Sequence, residues 1–164
     1  MDWAALTVGL VALERVGELV LSHRHTKALL RDGGYERGRD HYPLIVGLHV
    51  LWLAAVYLAA TPGAPPLWGW IGIYLLLQIA RYWVIATLGR YWTTRIITVS
   101  KAPLVEHGPY RFLRHPNYAV IAAEVAVLPL AFGEASVALV FSVLNALLLA
   151  WRIRIEQRAL FSRR

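Results

Sequence analysis

The sequence predicts an all-α, multi-pass integral membrane protein with about five transmembrane helices in a single domain, residues 1–164. Hydrophobic residues make up 58% of the chain, and the mean hydropathy of +0.49 lies above the range of ordinary soluble domains. The chain has no cysteine, which excludes disulfides, a thiol nucleophile and a Cys-based metal site. Its six histidines show no H-E-x-x-H spacing, and we therefore expect no metal.

The five predicted spans, in chain order, are residues 3–22, 43–60, 67–89, 117–132 and 135–151. We expect the first to be retained, because it lacks the basic region and small-residue cleavage site of a signal peptide. The second and third are separated by the proline-rich residues 61–66. The last two are short for a bilayer of roughly 30 Å. Since only Gly133 and Glu134 lie between them, they are predicted to form a tight helical hairpin.

Lysine and arginine predict the orientation. They are concentrated in the first loop, between spans three and four, and after span five: Arg24, Lys27, Arg31, Arg37 and Arg39; Arg90, Arg95, Lys101, Arg111 and Arg114; Arg152, Arg154, Arg158, Arg163 and Arg164. With five spans all three segments fall on one side, which the positive-inside rule makes cytoplasmic. The prediction is a cell-membrane protein with its N-terminus outside, and with its C-terminus and active site facing the cytoplasm. The net charge of +7 then indicates membrane lipid rather than nucleic acid as a partner.

Polar residues within the spans lie in the predicted cytoplasmic halves, which favours a polar cavity open to that side rather than a channel. They are Glu14, Arg15, Glu18, His49, Gln78, Arg81, Glu124 and Asn145. The charged residues of spans one and three could form either a structural ion-pair cluster or part of the site, and Gln78 could have either role. We expect His49 and Asn145 to form helix–helix hydrogen bonds. Glu124 lies seven residues after Asn117, on the same helix face, and is expected to face the segment of residues 107–118.

Tryptophans near the predicted span ends fit the aromatic belts of a membrane protein better than cofactor stacking. They are Trp68, Trp70, Trp83, Trp92 and Trp151.

The segment HGPYRFLRHPNY, residues 107–118, has the densest functional chemistry. Two Pro-containing dipeptides fix its backbone and place a proline in the first turn of span four. The free N–H groups of that helix start favour an anionic group. The segment also supplies cationic donors and aromatic faces, from Arg111, Arg114 and His115 and from Tyr110 and Tyr118. An ordinary basic anchor on anionic lipid would explain the arginines but not the order of the other residues.

The pattern G-P-Y-x-x-x-R-H-P-x-Y in residues 108–118 resembles the signature of the isoprenylcysteine carboxyl methyltransferase family. The resemblance covers about residues 90–160. It implies a membrane enzyme that transfers methyl from S-adenosylmethionine to a lipophilic acceptor and releases S-adenosylhomocysteine. By resemblance, the cofactor is bound by Tyr110, Arg111, Arg114, His115, Asn117, Tyr118 and Glu156. Arg152, four residues before Glu156, would orient the acceptor.

The sequence departs from the family pattern at Val120, where related enzymes often carry glycine, and at Gln157, where some carry a second glutamate. The chain is most similar to a small bacterial branch, for which an alkylpyrone or alkylresorcinol is a plausible acceptor. A carboxylate or enol acceptor needs no base, whereas a phenol with a pKa near 10 would profit from one. The carboxylates of Glu156 and Glu124 are the candidates, with Glu156 preferred. The first loop, residues 35–42, is a candidate cap for the cytoplasmic mouth.

Two other functional classes remain open from the sequence. Sterol-type reductases carry a related Pro-Asn-Tyr segment and use NADPH, and a short basic bundle can also act as a non-catalytic membrane scaffold. The soluble dinucleotide-type methyltransferase fold is excluded, because no glycine-rich loop follows a predicted strand. The oligomeric state stays open.

Overall fold

Five α-helices make up most of the chain in the computed structural model, which describes residues 2–39, 42–99 and 105–161. They are α1 (Trp3–Arg31), α2 (Tyr42–Ala59), α3 (Trp68–Leu88), α4 (Pro116–Leu130) and α5 (Ala135–Phe161). Each predicted apolar run coincides with one of them. Both α1 and α5 continue well past the predicted span ends at residues 22 and 151, because the polar segments that follow contain few helix breakers. The α5 extension brings Arg152 and Glu156 onto the helix of the last span.

Three helical segments are long and apolar enough to cross a membrane within the described part of the chain: Tyr42–Ala59, Trp68–Tyr91 and Ala135–Gln157. The first helix is less apolar because its membrane-length portion contains Glu14, Arg15 and Glu18. The fourth helix is apolar but has only 15 residues. The protein is therefore an all-α membrane protein in its main architecture.

The core is formed mainly by α2 and α4, with contributions from α1 and α3. Trp52, Val56 and Leu128 are almost completely buried there. The Trp52 indole Nε1 donates to the Val125 carbonyl at 3.1 Å, which gives this polar group a partner inside the apolar core. The predicted hairpin is confirmed: α4 ends at Leu130 and α5 begins at Ala135, and the two helices pack against each other.

A short two-stranded ladder was not predicted. Strand β1 (Tyr35–Arg37) pairs antiparallel with β2 (Ile96–Thr98). Gly34 precedes β1 at a position where a Cβ would lie 2.6 Å from the Leu29 carbonyl oxygen. Three-residue strands carry too little alternation for a sequence pattern to reveal. Two residues of the predicted cap, Asp40 and His41, lie outside the described residues. The described part of the cap contains β1, which pairs with β2 in the segment after α3.

The segment between α3 and β2 is fixed to α1. A 3-10 turn at Gly89–Tyr91 leads into Trp92, whose carbonyl lies 2.8 Å from His25 Nδ1. The Ser22 and Thr94 hydroxyls are 2.7 Å apart, and the Thr94 N–H donates to Ser22 Oγ at 2.8 Å.

The prediction that Trp92 lies in an interfacial belt is wrong, because its side chain is only 2% exposed. Trp68, Trp83 and Trp151 are about half exposed, as an interfacial position requires. Trp70 packs instead against the core.

Candidate active site

Two neighbouring cavities share one wall near the start of α4. The polar cavity, of about 140 Å³, is lined by residues 107–118 (the signature segment), the end of α5 and the segment after α3. The apolar cavity, of about 240 Å³, lies among α1, α2, α4 and α5. The residues that line both are Trp92, Thr93, Asn117, Tyr118 and Arg152. Groups bound in the two cavities would therefore lie next to each other, on either side of these five residues.

The signature segment is shaped by local constraints. The turn Gly108–Arg111 is a 3-10 helix with Pro109 in its first turn. Gly108 has φ +59°, and a Cβ there would lie 2.7 Å from Thr87 Oγ1 on α3, so only glycine fits. Pro116 then begins α4, where its missing N–H costs no helical hydrogen bond.

A hydrogen-bonded chain joins α4 and α5 across the polar cavity. Arg152 Nε donates to the Tyr118 hydroxyl oxygen at 2.8 Å, and the Tyr118 hydroxyl donates to Glu156 Oε2 at 2.7 Å. The His115 ring stacks on the Tyr118 ring with centroids 5.5 Å apart, and His115 Nδ1 lies 4.0 Å from Glu156 Oε2. These contacts fix the positions of a cationic and an anionic side chain on either side of one phenol.

The Tyr110 hydroxyl is held in its neutral form. Burial raises the pKa of this phenol, and the negative charge of Glu156 raises it further. Because the ordinary phenol pKa is already near 10, Tyr110 keeps its proton at neutral pH and offers a hydrogen-bond donor to the polar cavity.

Two buried polar atoms of the shared wall have no hydrogen-bond partner within the described ranges. They are Asn117 Oδ1, an acceptor, and Trp92 Nε1, a donor. A buried polar group without a partner costs about 1–3 kcal/mol, and because both residues line the two cavities, these atoms are suited to contact a bound ligand or an ordered water.

Most of the predicted cofactor residues come together around the polar cavity. Its lining includes Tyr110, Arg114, His115, Asn117, Tyr118, Arg152 and Glu156. Two predicted site residues do not take part: Arg111 is exposed on the 3-10 turn and lines neither cavity, and Glu124 is buried away from both. Trp92 and Thr93 were not predicted to line the site, because the segment that contains them has no recognisable motif.

Glu124 belongs to a buried ion-pair cluster rather than facing the signature segment. Its Oε2 accepts from Arg81 Nη1 at 2.8 Å and from Arg15 Nη2 at 3.2 Å, and its Oε1 accepts from Gln78 at 2.9 Å. Glu18 completes the cluster by pairing with both arginines. The cluster therefore connects α1, α3 and α4. Its Arg15, Glu18 and Arg81 also line the apolar cavity.

The expected helix–helix hydrogen bonds of His49 and Asn145 do not form. His49 Nδ1 lies 2.8 Å from the Ile45 carbonyl of its own helix. Asn145 Nδ2 is buried without a partner among the described residues. Both side chains line the apolar cavity instead.

Comparison with known proteins gives matches over most of the chain. The sequence profile described as "Isoprenylcysteine carboxyl methyltransferase (ICMT) family" matches residues 70–162, a stretch that contains the signature segment. The chain is 35% identical over 164 residues to the uncharacterized protein YpbQ of Bacillus subtilis (strain 168), covering 98% of this chain and 96% of that protein. It is 29% identical over 160 residues to an uncharacterized protein of Haemophilus influenzae, covering 94% and 93% of the two chains. No solved structure matches it significantly.

Proposed function

Because this chain belongs to the isoprenylcysteine carboxyl methyltransferase family, a family of membrane methyltransferases, we propose that it methylates an oxygen of a lipophilic, membrane-dissolved acceptor. The proposed methyl donor is S-adenosylmethionine, and the product S-adenosylhomocysteine. One observation carries the proposal: a polar cavity and an apolar cavity share a wall that contains Asn117, Tyr118 and Arg152. A water-soluble donor and a lipophilic acceptor bound in the two cavities would lie next to each other, and in the proposal their reactive atoms come into contact where the cavities adjoin.

The residues around the polar cavity fit S-adenosylmethionine. Its carboxylate requires donors, which Arg114, His115 and the neutral Tyr110 supply. Its ammonium and ribose hydroxyls require acceptors, for which Glu156 and the unpartnered Asn117 Oδ1 are suited. The arrangement contains both kinds of partner within one small cavity.

When bound, S-adenosylmethionine supplies an electrophilic methyl group on a sulfonium cation. The protein's own contribution is positioning, which can account for much of such a rate enhancement. Arg152 is held at the shared wall by its hydrogen bond to the Tyr118 hydroxyl. In the proposal its guanidinium binds the acceptor oxygen and favours the ionised form of an enol, phenol or carboxylate.

Glu156 is the proposed proton acceptor for a phenolic substrate. It lines the polar cavity, and the Tyr118 hydroxyl fixes one of its oxygens. The alternative, Glu124, has both carboxylate oxygens bonded to Arg81, Arg15 and Gln78, and neither cavity reaches it. We therefore assign Glu124 to the ion-pair cluster and keep Glu156 as the functional carboxylate.

The proposed topology has five spans, with the N-terminus outside and the C-terminus in the cytoplasm. The three basic segments support this orientation, since they all lie on one side of such a bundle. The polar cavity is lined by two of these segments, through Arg95, Arg114 and Arg152. It would then open towards cytoplasmic S-adenosylmethionine.

The apolar cavity supports a lipophilic acceptor. Its lining includes aliphatic side chains from four helices, among them Val16, Val46, Ile121 and Leu148. An amphiphile with a compact oxygen-bearing head and an alkyl tail matches this lining, and an alkylpyrone or alkylresorcinol is a plausible example.

The test is a thermal-shift measurement on purified protein with S-adenosylmethionine, S-adenosylhomocysteine or NADPH. A ligand that binds only the folded state raises the melting temperature. We expect both sulfur compounds to stabilise the protein and NADPH to leave it unchanged. Stabilisation by NADPH alone would instead indicate a reductase, and no stabilisation by any of the three would indicate a non-catalytic scaffold.

A further inference from the structure

A polar layer lies two helical turns below the shared wall. Arg152 in that wall is seven residues after Asn145 on α5. Tyr42, whose hydroxyl lies 3.2 Å from Thr94 Oγ1 beside the same wall, is seven residues before His49 on α2. Seven residues keep the helix face and move about 10 Å along the axis. Asn145 and His49 therefore each lie about two helical turns from a residue in or beside the shared wall, on two helices that pack together, and both line the apolar cavity.

Asn145 has a polar atom without a partner. The residue is 2% exposed, and its Nδ2 has no hydrogen-bond partner among the described residues. It stands within the apolar sequence LVFSVLNALLLA, where leucine would pack without any cost of an unpaired amide. Arg15, Glu18 and Arg81, which also line this cavity, are already paired in the ion-pair cluster, so the Asn145 carboxamide is suited to a polar group of whatever occupies the cavity.

His49 complements Asn145. A carbonyl oxygen can only accept, so the 2.8 Å contact with the Ile45 carbonyl places a proton on His49 Nδ1. In the neutral imidazole, Nε2 is then an acceptor. The Nε2 atom has no partner in the part of the chain that the structure describes. The two residues thus offer one donor and one acceptor, the combination that binds a hydroxyl group.

We infer that Asn145 and His49 bind a second oxygen of the acceptor, a hydroxyl separate from the oxygen that is methylated, and thereby determine acceptor specificity. This inference rests on the proposed function and deepens it, because it narrows the acceptor to lipids whose head group carries a hydroxyl in addition to the group that is methylated. The methylated oxygen meets Arg152 at the shared wall, and the second hydroxyl points towards the deeper layer. A simple alkyl carboxylate or a monohydroxy lipid leaves Asn145 unpaired.

The test compares two lipids that differ by one hydroxyl, 5-pentylresorcinol and 3-pentylphenol, on wild-type protein and on Asn145→Leu. The first readout is the affinity of each lipid for the purified protein, measured by calorimetry. The second is methyl transfer to each lipid. We expect the wild type to bind the resorcinol about tenfold more tightly, and Asn145→Leu to bring the two affinities to within about twofold.

The matched control is Ser142→Ala. Ser142 lies on the same helix and also has a buried hydroxyl oxygen without a partner among the described residues, but it lines neither cavity. Its removal should leave the ratio of the two affinities unchanged. If Asn145→Leu does not fold, His49→Leu provides the same comparison, with the same expected loss of preference.

The binding ratio separates this inference from the proposed function. A resorcinol preference that disappears in Asn145→Leu supports the inference even without methyl transfer, an outcome that would contradict the methyltransferase proposal alone. Equal affinities for the two lipids in the wild type overturn the inference. A preference that survives both Asn145→Leu and His49→Leu also overturns the inference, because neither side chain would then contribute to recognition of the second hydroxyl.

Discussion

The Tyr118 hydroxyl donates to Glu156 Oε2 at 2.7 Å, although the two residues are 38 positions apart in the sequence. The same hydroxyl accepts from Arg152 Nε at 2.8 Å. One phenol therefore holds two charged residues of α5 in place, Arg152 at the wall between the two cavities and Glu156 in the polar cavity. In the proposed mechanism Tyr118 is a positioning residue, since it acts through Arg152 and Glu156.

Replacing Tyr118 with Phe keeps the ring that stacks on His115 and removes only the hydroxyl. We expect S-adenosylhomocysteine affinity and kcat/KM each to fall by about tenfold, because Arg152 and Glu156 each lose a charge-assisted hydrogen bond. Calorimetric binding and initial-rate kinetics measure the two effects. Tyr57→Phe, on the exposed surface of α2, is the control. Wild-type affinity and kinetics in Tyr118→Phe would remove this hydroxyl from the mechanism.

Glu156→Gln should lose both cofactor affinity and turnover, since the polar cavity then lacks its carboxylate. Glu124→Gln should bind S-adenosylhomocysteine normally, because Glu124 lines neither cavity. Measuring affinity and methyl transfer with a phenolic and a carboxylate acceptor separates the roles. A selective loss of phenol methylation in Glu124→Gln would return Glu124 to the list of proton acceptors.

Removing the His115 imidazole should weaken cofactor binding more than it lowers protein yield. The ring lines the polar cavity and stacks on Tyr118. We expect His115→Ala to bind S-adenosylhomocysteine at least about tenfold more weakly in calorimetry. The control is His107→Ala, an exposed residue of the same segment that lies outside the cavity lining. Equal affinity in the two variants would exclude His115 from the site.

Arg81→Met should destabilise the fold strongly. Arg81 is 5% exposed and pairs with Glu18 and Glu124, so its removal leaves buried carboxylates with only Arg15 to compensate them. Breaking a buried pair in this way typically costs about 3–5 kcal/mol. Denaturant unfolding in detergent measures the loss. The exposed Arg90, paired with Asp32, is the control, because Arg90→Met should change stability by less than about 1 kcal/mol. Similar effects of the two substitutions would mean that the cluster contributes little to stability.

The proposed topology can be tested with reporters. A reporter fused after Arg164 should give a cytoplasmic signal, and one inserted at Ala64, between α2 and α3, should give an external signal. The opposite pair of signals would place the polar cavity out of reach of cytoplasmic S-adenosylmethionine and contradict the proposed function.

Much of the fold and part of the site could be predicted from the sequence. The five apolar runs predicted the five helices, because an unbroken hydrophobic stretch of that length is a local property of the chain. The Gly133-Glu134 spacing likewise predicted the α4–α5 hairpin. The signature segment identified Tyr110, His115 and Tyr118 as residues that lie together, since prolines and glycines fix its backbone locally.

The sequence by itself thus determined the membrane character, the helix order and the family signature, all of which depend on residues close together in the chain. Only the tertiary structure decided what distant residues do. Glu124 pairs with Arg15, 109 positions away, instead of facing the signature segment. Trp92 is buried between two cavities rather than lying in an aromatic belt. A carboxylate or an indole in a helical protein has several compatible partners. Burial leaves each polar group only the partners that neighbouring helices provide, so the packing of the helices decides which partner it has.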